Sequence, residues 1–570
     1  MQPEKRESLF ASCKRTFSAG FPTREVVFFR FRHYINPHGF NQMDICNRKG
    51  RVYMDLERII EAQSSLFDAL RKFAAGEIDS AALKPFGAPF GIYQQRDGKF
   101  MNRIRLVGGE IPTFTLNFLA GLLRECGADF AHVSTRQNIQ FHGVSPLKTI
   151  EVVKSCTANG LPFRGGGGDT FRNISITVGS GIASDGSFDL IPYARYLKEV
   201  IFGWEMAFHL PRKLKIGMAS AADRGLALRQ DLGFIAALDS DGNPGFEVYG
   251  AGGFGRESAA GVRLFEFLPA RNLAAAARAM VELFDEHGDR SNRGRARIRF
   301  IRKRIGDEEF VRLYQEYYAK TDPAAYPELP EISADWPLGP LHKEFETAPE
   351  PDDPEYRRWL TIAVRPTRFG EDTVQVTLFV PRGVLTPDEF AALAALVEGF
   401  GVPAVRLTFE QNIVLPVLSK SALPHLFREL RSLPFDLTFR NFSGQIDCCI
   451  GATVCKIGVL DAPKYGELVA AALDRYFEEH PEERAEKAAK LIELLHFSGC
   501  PNSCTSHEVS LFGFQGCKKT IDGVLTDCFL LWRNPEFPVS PIGSDTGEII
   551  PADRIGERVV ELLREEKFLN

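Results

Sequence analysis

The sequence predicts an α+β protein built on an internal duplication, with a proline-rich connection between the two repeats. Two stretches, beginning at Arg103 and Val376, each follow the pattern of an alternating strand, a turn, an amphipathic helix and a second strand. Both then reach Gln-Asn-Ile, at Gln137 and Gln411, and both end a further helix pattern with Leu-Pro-Phe. Chance similarity is the alternative. The shared tripeptides favour duplication, which predicts a pseudo-two-fold body with a site where the repeats meet.

The connection lies in residues 321–355, which contain eight prolines and many acidic residues. Proline fixes φ and lacks an N–H donor, so this stretch cannot sustain a helix or a central strand. We therefore expect a linker that runs over the surface and has one large part on either side.

The composition is typical of a globular protein. The 570 residues are 25% charged and 44% hydrophobic, with a net charge of −5, and this length allows about three or four domains. The mild acidity gives no reason to expect nucleic acid or an anionic membrane as a partner. No apolar run predicts a membrane-spanning helix, and the charged N-terminus lacks the apolar core of a secretory signal. We expect a cytoplasmic protein, in which the eleven cysteines are thiols or ligands rather than disulfides.

Four cysteines form two close pairs near the end of the chain, Cys449 and Cys455 in CIGATVC and Cys500 and Cys504 in GCPNSC. Glycine, proline and small residues in both segments predict turns, on which thiolates can converge and backbone amides can approach the sulfurs. The five-residue gap in the first pair argues modestly against zinc, and buried core cysteines are the other alternative. The pattern favours an iron–sulfur cluster, with the adjacent Cys448 as a bystander.

Basic residues interrupt otherwise apolar or glycine-rich segments of the first repeat. They are Arg103 and Arg105 in MNRIRL, Arg136 in STRQNIQFHG, Arg172 in GGGGDTFRNISI, and Arg212, Lys213 and Lys215 in LPRKLK. Each alone could be a solvent-facing position of an alternating strand. Because arginine and lysine are rarely buried without a partner, the set together indicates a large polyanionic ligand.

Two further signals are weaker. GAGGFG, beginning at Gly250, fits a dinucleotide-binding pattern, but the residues after it are a poor helix opening and we interpret it as a loop. DRSNRGRARIRFIRKR, beginning at Asp289, resembles a nucleic-acid patch, but the chain carries no other nucleic-acid motif. A solvated or partner-docking face is the favoured interpretation.

Taken together, CIGATVC, GCPNSC, the RIRL strand, STRQNIQFHG, DTFRN and LPRKLK resemble the sirohaem-containing nitrite and sulfite reductase family. The resemblance runs from about residue 88 to residue 530. It implies three α+β lobes around the cofactors, with the first halves of the two repeats paired as one lobe. It also implies that Cys449, Cys455, Cys500 and Cys504 bind a [4Fe–4S] cluster and that Cys504 bridges to the sirohaem iron as its axial ligand.

The resemblance assigns roles to the basic set, since sirohaem carries carboxylates and the substrate is an anion. Contacts to the cofactor are expected from Arg136, Asn138, Gln140, His142 and Arg212. The distal, substrate-binding face is expected from Arg103, Arg172, Lys213 and Lys215. One departure is the glycine-rich GGGGD segment, where family members often have a cysteine.

The implied domains are an N-terminal extension (1–87), a ferredoxin-like half-domain (88–165), a sirohaem-binding catalytic domain (166–320), the linker (321–355), a second ferredoxin-like half-domain (356–435) and a [4Fe–4S]/sirohaem-binding domain (436–570). The implied reaction is the six-electron reduction of sulfite to sulfide or of nitrite to ammonia. Lys213-Leu-Lys215 favours sulfite, because four cations suit a divalent anion. We expect electrons from a separate ferredoxin or flavoprotein. A non-catalytic, cluster-bearing electron-transfer subunit and a nicotinamide dehydrogenase built on GAGGFG are the competing hypotheses.

Overall fold

The computed structural model describes residues 56–570, apart from residues 185–187, 256, 330–344, 347, 439–445, 489, 538–539 and 541. Its first two elements are helices α1 (Leu56–Ala74) and α2 (Ser80–Gly87). The amide of Gln63, on α1, donates to the Thr157 hydroxyl at 2.9 Å. The described part of the N-terminal extension therefore packs on the first half-domain, and residues 1–55 lie outside the described chain.

The first half-domain is an antiparallel sheet covered by helices. Its elements are β1 (Ile92–Gln94), β2 (Phe100–Ile104), β3 (Glu110–Pro112), α3 (Thr113–Glu125), β4 (Phe130–Val133), β5 (Ile139–Val144) and α4 (Pro146–Ala158). Strands β1, β2, β5 and β4 lie side by side in that order. Ser145 caps α4 by accepting from the Lys148 N–H, and Pro146 occupies its first turn.

A first sheet domain follows. Its elements are β6 (Ser175–Ile176), α5 (Ile191–Phe202), β7 (Ile216–Ala219), α6 (Arg224–Leu228), β8 (Leu232–Leu238), β9 (Pro244–Gly250), β10 (Val262–Pro269), α7 (Leu273–His287), α8 (Ile298–Ile305) and α9 (Asp307–Ala319). Strands β6, β7 and β8 are parallel, and β9 and β10 continue the sheet antiparallel.

The second half-domain repeats the first. Its elements are α10 (Pro354–Ala363), β11 (Val364–Thr367), β12 (Gly370–Leu378), β13 (Val384–Leu385), α11 (Pro387–Gly399), β14 (Ala404–Leu407), β15 (Ile413–Ser419) and α12 (Leu423–Ser432). Between α9 and α10 the described residues contain one turn of 3-10 helix, at Pro323–Ala325, and no strand. That stretch includes the described part of the expected linker.

The second sheet domain completes the chain. Its elements are β16 (Asp447–Cys448), α13 (Ala462–Glu479), α14 (Pro481–Lys487), α15 (Leu491–Leu494), β17 (Leu495–Ser498), β18 (Phe512–Ile521), β19 (Val524–Arg533), β20 (Ser544–Pro551) and α16 (Ile555–Glu565). Strands β16, β17 and β18 are parallel, and β19 and β20 are antiparallel. This is the topology of β6–β10, so the duplication extends beyond the half-domains in which the sequence shows it.

The two half-domains exchange strands. Strand β3 of the first pairs with β14 of the second, which sets Glu110 opposite Arg406. Strand β13 of the second pairs with β4 of the first, which sets Val384 opposite His132. The five-stranded sheet of each half-domain thus contains one strand from the other repeat. The predicted pairing of the half-domains into one lobe, and the duplicated α+β fold, are confirmed.

Two large hydrophobic cores lie beneath these sheets. One runs continuously through both half-domains and the second sheet domain, and the other lies in the first sheet domain. A buried ion pair between Arg406 and Glu110 joins the half-domains to each other, with Nη2 and Oε2 3.2 Å apart. Arg406 also donates to the backbone oxygens of Val178 and Ser180, so this side chain ties the second half-domain to the first sheet domain.

Candidate active site

Two of the four cysteines follow neighbouring parallel strands. Strand β16 ends at Cys448 and β17 at Ser498, so Cys449 and Cys500 leave the same edge of the sheet. The backbone N–H of Gly499 donates to the Sγ of Cys449 at 3.2 Å. The side-chain amide of Asn502 donates to the Sγ of Cys500 at 3.4 Å. Hydrogen bonds of this kind stabilise the charge on a metal-bound thiolate.

The other two cysteines lie on the turns that follow. The N–H of Cys455 donates to the Gly451 oxygen at 3.0 Å, after a single 3-10 turn at Gly451–Thr453. Ser503, next to Cys504, adopts the left-handed φ of 51°. Cys455 and Cys504 therefore lie on turns rather than on strands.

The thiols influence one another electrostatically. Burial raises the pKa of Cys449 well above its usual range, and the nearby Cys504 and Cys500 raise it further. Cys504 is exposed to solvent, but desolvation by the protein around it, with the neighbouring Cys500 and Cys455, raises the pKa of its thiol to about 11, while Lys213 and Lys215 act in the opposite sense. Four thiols gathered in this way fit a cluster with a net positive iron core, because such a group stabilises all four as thiolates.

Cys448 lies elsewhere. It is buried, and a methyl group placed on Gly466 of α13 would meet its sulfur at 2.5 Å. The thiol therefore packs against that helix and behaves as a core residue.

The basic residues reach the site from three elements. Arg103 lies on β2 opposite Gln140 of β5, and Arg136 lies in the turn between β4 and β5. A parallel bridge between Phe171 and Leu214 sets Arg172 beside Lys213 and Lys215, and the Arg172 N–H donates to the Leu214 oxygen at 2.8 Å. The sequence could predict the residue types, but only these pairings bring the segments together.

The cations lie close enough to depress each other's pKa. Burial, with the neighbouring Arg297 and Arg172, lowers the pKa of Lys213 to about 7, while Cys504 acts in the opposite sense. Burial also lowers the pKa of Lys215 well below its ordinary value, together with Arg136, Lys213 and Arg297.

The pKa values of Arg136 and Arg172 are lowered for the same reasons. Burial and the neighbouring Arg172 lower the pKa of Arg136 to about 9. Burial lowers the pKa of Arg172 to about 10, with Arg103 and Arg212 adding to the effect. A polyanion bound among these groups would offset the repulsion.

Carbonyl oxygens, rather than carboxylates, hold the arginines. Arg103 Nη1 donates to the Gly166 oxygen at 2.9 Å, and Arg172 Nη2 donates to the Gly168 oxygen at 2.6 Å. Arg136 donates to Gln230 at 3.2 Å. Among the described residues no carboxylate pairs with any of the three, or with Lys213 or Lys215. Their charge remains available to a ligand.

The glycine-rich segment supports this geometry. A methyl group on Gly167 would meet the Tyr93 hydroxyl at 2.3 Å. The glycine-rich segment can therefore lie against Tyr93 only because its residues have no side chains. Tyr93 accepts from the Gly168 N–H at 3.0 Å, and the Arg103 guanidinium lies over its ring, 5.9 Å from the centroid. Tyr93 is a site residue that sequence reasoning missed.

Other predicted residues lie at the margin. Arg212 is held by Asp169, with Nη1 and Oδ1 2.8 Å apart. Asn138 is buried and donates to the Arg136 oxygen at 2.8 Å, which fixes the turn. Gln140 and His142 are buried behind Arg103, with the Nε2 of His142 3.1 Å from the Gln140 amide. Their contact with a cofactor stays a prediction.

The arginine-rich segment contributes to the site, which the interpretation as a solvated face missed. Arg297 is buried and pairs with the buried Asp231 at 2.8 Å. Asp231 also accepts from the Lys215 N–H at 2.8 Å. The solvated-face interpretation is therefore wrong for Arg297 and for the buried Arg299, whereas Arg293 and Arg295 are exposed. The available signal was their alternation with apolar residues in RARIRF.

GAGGFG does not open a helix. Gly250 ends β9, and the chain passes through a loop into the antiparallel β10. Within the described residues this segment has no βαβ surroundings, as the loop interpretation predicts. No helix in the described part of the chain is both long and apolar enough to span a bilayer.

Comparison with known families agrees with this architecture. The family model described as the nitrite and sulphite reductase 4Fe-4S domain matches residues 167–322. The nitrite/sulfite reductase ferredoxin-like half domain matches residues 93–159 and 368–433. The matches together cover about half of the chain and include both half-domains. The 4Fe-4S domain model matches the first sheet domain, whereas the four cysteines lie in its repeat.

Similar proteins include nitrite and sulfite reductases. The ferredoxin–nitrite reductase of Synechococcus elongatus is 29% identical over 75% of this chain and 78% of its own length. The chloroplastic ferredoxin–nitrite reductase of Arabidopsis thaliana is 26% identical over 94% of this chain and 86% of its own length. The sulfite reductase [ferredoxin] of Mycobacterium tuberculosis is 23% identical over 73% of this chain and 70% of its own length.

Among solved structures, that of the Mycobacterium tuberculosis NirA protein has the same fold. The superposition covers 88% of this chain and 93% of the NirA chain, with 20% sequence identity and a TM-score of 0.70. The fold and the thiol set thus define an iron–sulfur oxidoreductase. The chain belongs to the nitrite/sulfite reductase family.

Proposed function

We propose that this protein reduces sulfite to sulfide in a six-electron reaction. A [4Fe–4S] cluster would be held by Cys449, Cys455, Cys500 and Cys504, and a sirohaem would be held beside it, next to Cys504. When bound, these cofactors would supply electrons one at a time to the anion. The observation that carries the proposal is the position of Lys213 and Lys215, which have no ion-pair partner among the described residues and lie close enough to Cys504 to lower the pKa of its thiol.

Different side chains are proposed to bind the substrate, to transfer protons and to bind the cofactor. Arg103 and Arg172, held by the carbonyls of Gly166 and Gly168, offer fixed guanidinium donors to the substrate oxygens. Lys213 and Lys215 add two ammonium groups that stabilise the bound anion and can pass protons to departing oxygens. Arg136 and Arg212 are proposed to bind cofactor carboxylates, with Asn138, Gln140 and His142 beside them.

The cofactor fits what these residues offer. Sirohaem carries several carboxylates, and the buried arginines and lysines depress each other's pKa in the absence of such an anion. A neutral or cationic ligand would leave that repulsion in place. The site chemistry therefore supports a polyanionic cofactor next to the thiols.

Nitrite is the alternative substrate. The nitrite reductases compared above are 26–29% identical to this chain, and the sulfite reductase is 23% identical. The two lysines argue for sulfite, because a second positive charge favours a divalent over a monovalent anion. Steady-state kinetics on both anions decide between them, and a higher kcat/KM for nitrite would reverse the assignment.

We propose ferredoxin as the electron donor, docking on the surface around Cys455. The Cys455 surface consists of Arg96, Lys456 and Ile457 around the half-buried Cys455. Arg96 donates to the Cys455 oxygen at 3.1 Å and to the Gly458 oxygen at 3.0 Å. Ile457 is 69% exposed between two cations, which suits an acidic partner with an apolar centre. A flavoprotein is the other candidate donor.

A visible spectrum tests the cofactor assignment. Protein purified from cells that make sirohaem, or reconstituted with it, should show a Soret band and a red-region band. A bare iron–sulfur protein would show only a broad shoulder, and that result would support the non-catalytic electron-transfer subunit. Oxidation of NAD(P)H without added carrier would support the dehydrogenase hypothesis instead.

A further inference from the structure

A row of buried hydrogen bonds begins at Arg103. With its amide oriented to satisfy its neighbours, Gln140 accepts from Arg103 Nε at 3.0 Å and Nη2 at 3.2 Å. The nitrogen of the same amide then donates to His132 Nδ1 at 3.2 Å. Gln140 and His132 are both less than 10% exposed.

The row continues into the second repeat and ends beside a proposed cluster ligand. His132 Nε2 lies 2.9 Å from Gln411 Oε1. Gln411 Nε2 donates to the Cys448 oxygen at 2.9 Å and to Asp447 Oδ1 at 3.1 Å. The Cys448 carbonyl belongs to the peptide that leads into Cys449.

All donors in this row point the same way. His132 Nδ1 accepts from Gln140, so the proton lies on Nε2 and is donated to Gln411. Burial lowers the pKa of His132, which keeps the ring neutral and able to accept and donate at once. Bonds aligned in this manner polarise and strengthen one another.

The first repeat contains an equivalent glutamine, Gln137, but it lacks the row of hydrogen bonds that runs through Gln411. Gln137 and Gln411 both adopt the left-handed conformation, with φ of 55° and 64°. Gln137 donates to the Ile176 oxygen at 2.9 Å and accepts from the Ile176 N–H at 3.0 Å. The position equivalent to His132 holds Arg406, which pairs with Glu110 instead. Gln137 also donates to the Leu407 oxygen at 3.1 Å, but this bond leads to no arginine of the anion site. Within the described part of the chain, a row from such an arginine is seen at Gln411 and not at Gln137.

We infer that His132 and Gln411 are positioning residues that fix the Arg103 guanidinium relative to the backbone at Cys449. A change in the row is thereby transmitted to the anion-binding arginine at one end and to the cluster loop at the other. The inference rests on the proposed function for the role of Arg103 toward the substrate, and its effect on the cluster is measured separately.

The test compares Gln411→Asn with the matched control Gln137→Asn. Asparagine tolerates the left-handed conformation and keeps the amide, but it is one methylene shorter and cannot reach both partners. In Gln411→Asn, the KM for the anion with reduced methyl viologen should rise about five-fold, the equivalent of one ordinary hydrogen bond. The electron paramagnetic resonance signal of the reduced cluster should also shift. Gln137→Asn should lower the thermal midpoint and leave both readouts unchanged.

A second variant covers the case in which Gln411→Asn does not fold. His132→Gln keeps a polar side chain but cannot bridge both glutamines, so it should change the same two readouts. Equal effects from the two glutamine variants, or unchanged KM and cluster signal in folded Gln411→Asn and His132→Gln, would overturn the inference. If the unaltered protein reduces neither anion, the proposed function fails and the cluster signal alone decides the inference.

Discussion

A backbone-to-sulfur hydrogen bond joins Gly499 to Cys449 at a turn where an added side chain would clash with backbone. The Gly499 N–H donates to the Cys449 sulfur at 3.2 Å, and a methyl group on Gly499 would meet the Leu460 oxygen at 2.6 Å. The first repeat has the same bond without sulfur, since the Ser220 N–H donates to the Thr177 hydroxyl at 3.0 Å. The two repeats thus share this backbone arrangement, and the second places the Cys449 thiol where the first has the Thr177 hydroxyl.

Gly499→Ala should therefore disrupt the cluster loop. We expect cluster content to fall and stability to drop by about 1–3 kcal/mol, because the new methyl group meets backbone rather than a flexible side chain. Iron and sulfide assays with thermal unfolding check this. Gly121→Ala is the control, since nothing lies within 4 Å of the added methyl group on helix α3. There alanine should be neutral or stabilising, and equal losses in both variants would contradict the argument.

Cys504→Ser should remove both the cluster and the Soret band, because the proposed bridge serves both cofactors. Cys448→Ser should retain both, since this thiol packs against Gly466. Absorbance and iron content of the two purified proteins provide the comparison. Retention of a full Soret band in Cys504→Ser would refute its assignment as the axial ligand.

Lys215→Asn should change substrate preference. Removing one ammonium group from the anion site should lower kcat/KM for sulfite about 100-fold, as for other transition-state donors. The loss for nitrite should be smaller, because a monovalent anion gains less from the second lysine. Kinetics on both anions with reduced methyl viologen measure the ratio. An unchanged ratio would mean that Lys215 does not discriminate between them.

Lys456→Glu should weaken the use of ferredoxin. Reversing a charge on the Cys455 surface should raise the KM for ferredoxin about ten-fold at low salt, with the effect decreasing as ionic strength rises. Activity with methyl viologen should not change. Lys519→Glu makes the same charge change at an exposed position of β18 and is the control. A loss of both activities in Lys456→Glu would indicate damage to the cluster rather than to docking.

The sequence could predict the features that depend on local chemistry. Four cysteines on glycine- and proline-rich turns indicate an iron–sulfur cluster whatever the position of those turns in the fold. The motifs around Arg103, Arg172 and Lys213 indicate an anionic ligand because their residue types are basic. The half-domain duplication was also predictable, because Gln137 and Gln411 occupy strained turns that restrict their neighbours.

Long-range pairings could not be predicted. Arg297 and Asp231 lie 66 residues apart, and each alone resembles a surface residue until folding buries them together. Sheets β6–β10 and β16–β20 share a topology but little sequence, since many apolar side chains can fill the same layer. The role of Tyr93 depends on a glycine segment that approaches it only in the folded chain.

The exchanged strands have a consequence for how the chain matures. The first half-domain lacks its fifth strand until residues 384–385 have been synthesised, and the buried partner of Glu110, Arg406, lies 296 residues further on. Contacts this distant form slowly. The four cysteines of the two close pairs are translated later still. Under the proposed assignment, a cofactor held by both the basic groups and Cys504 can be inserted only after most of the polypeptide has been made.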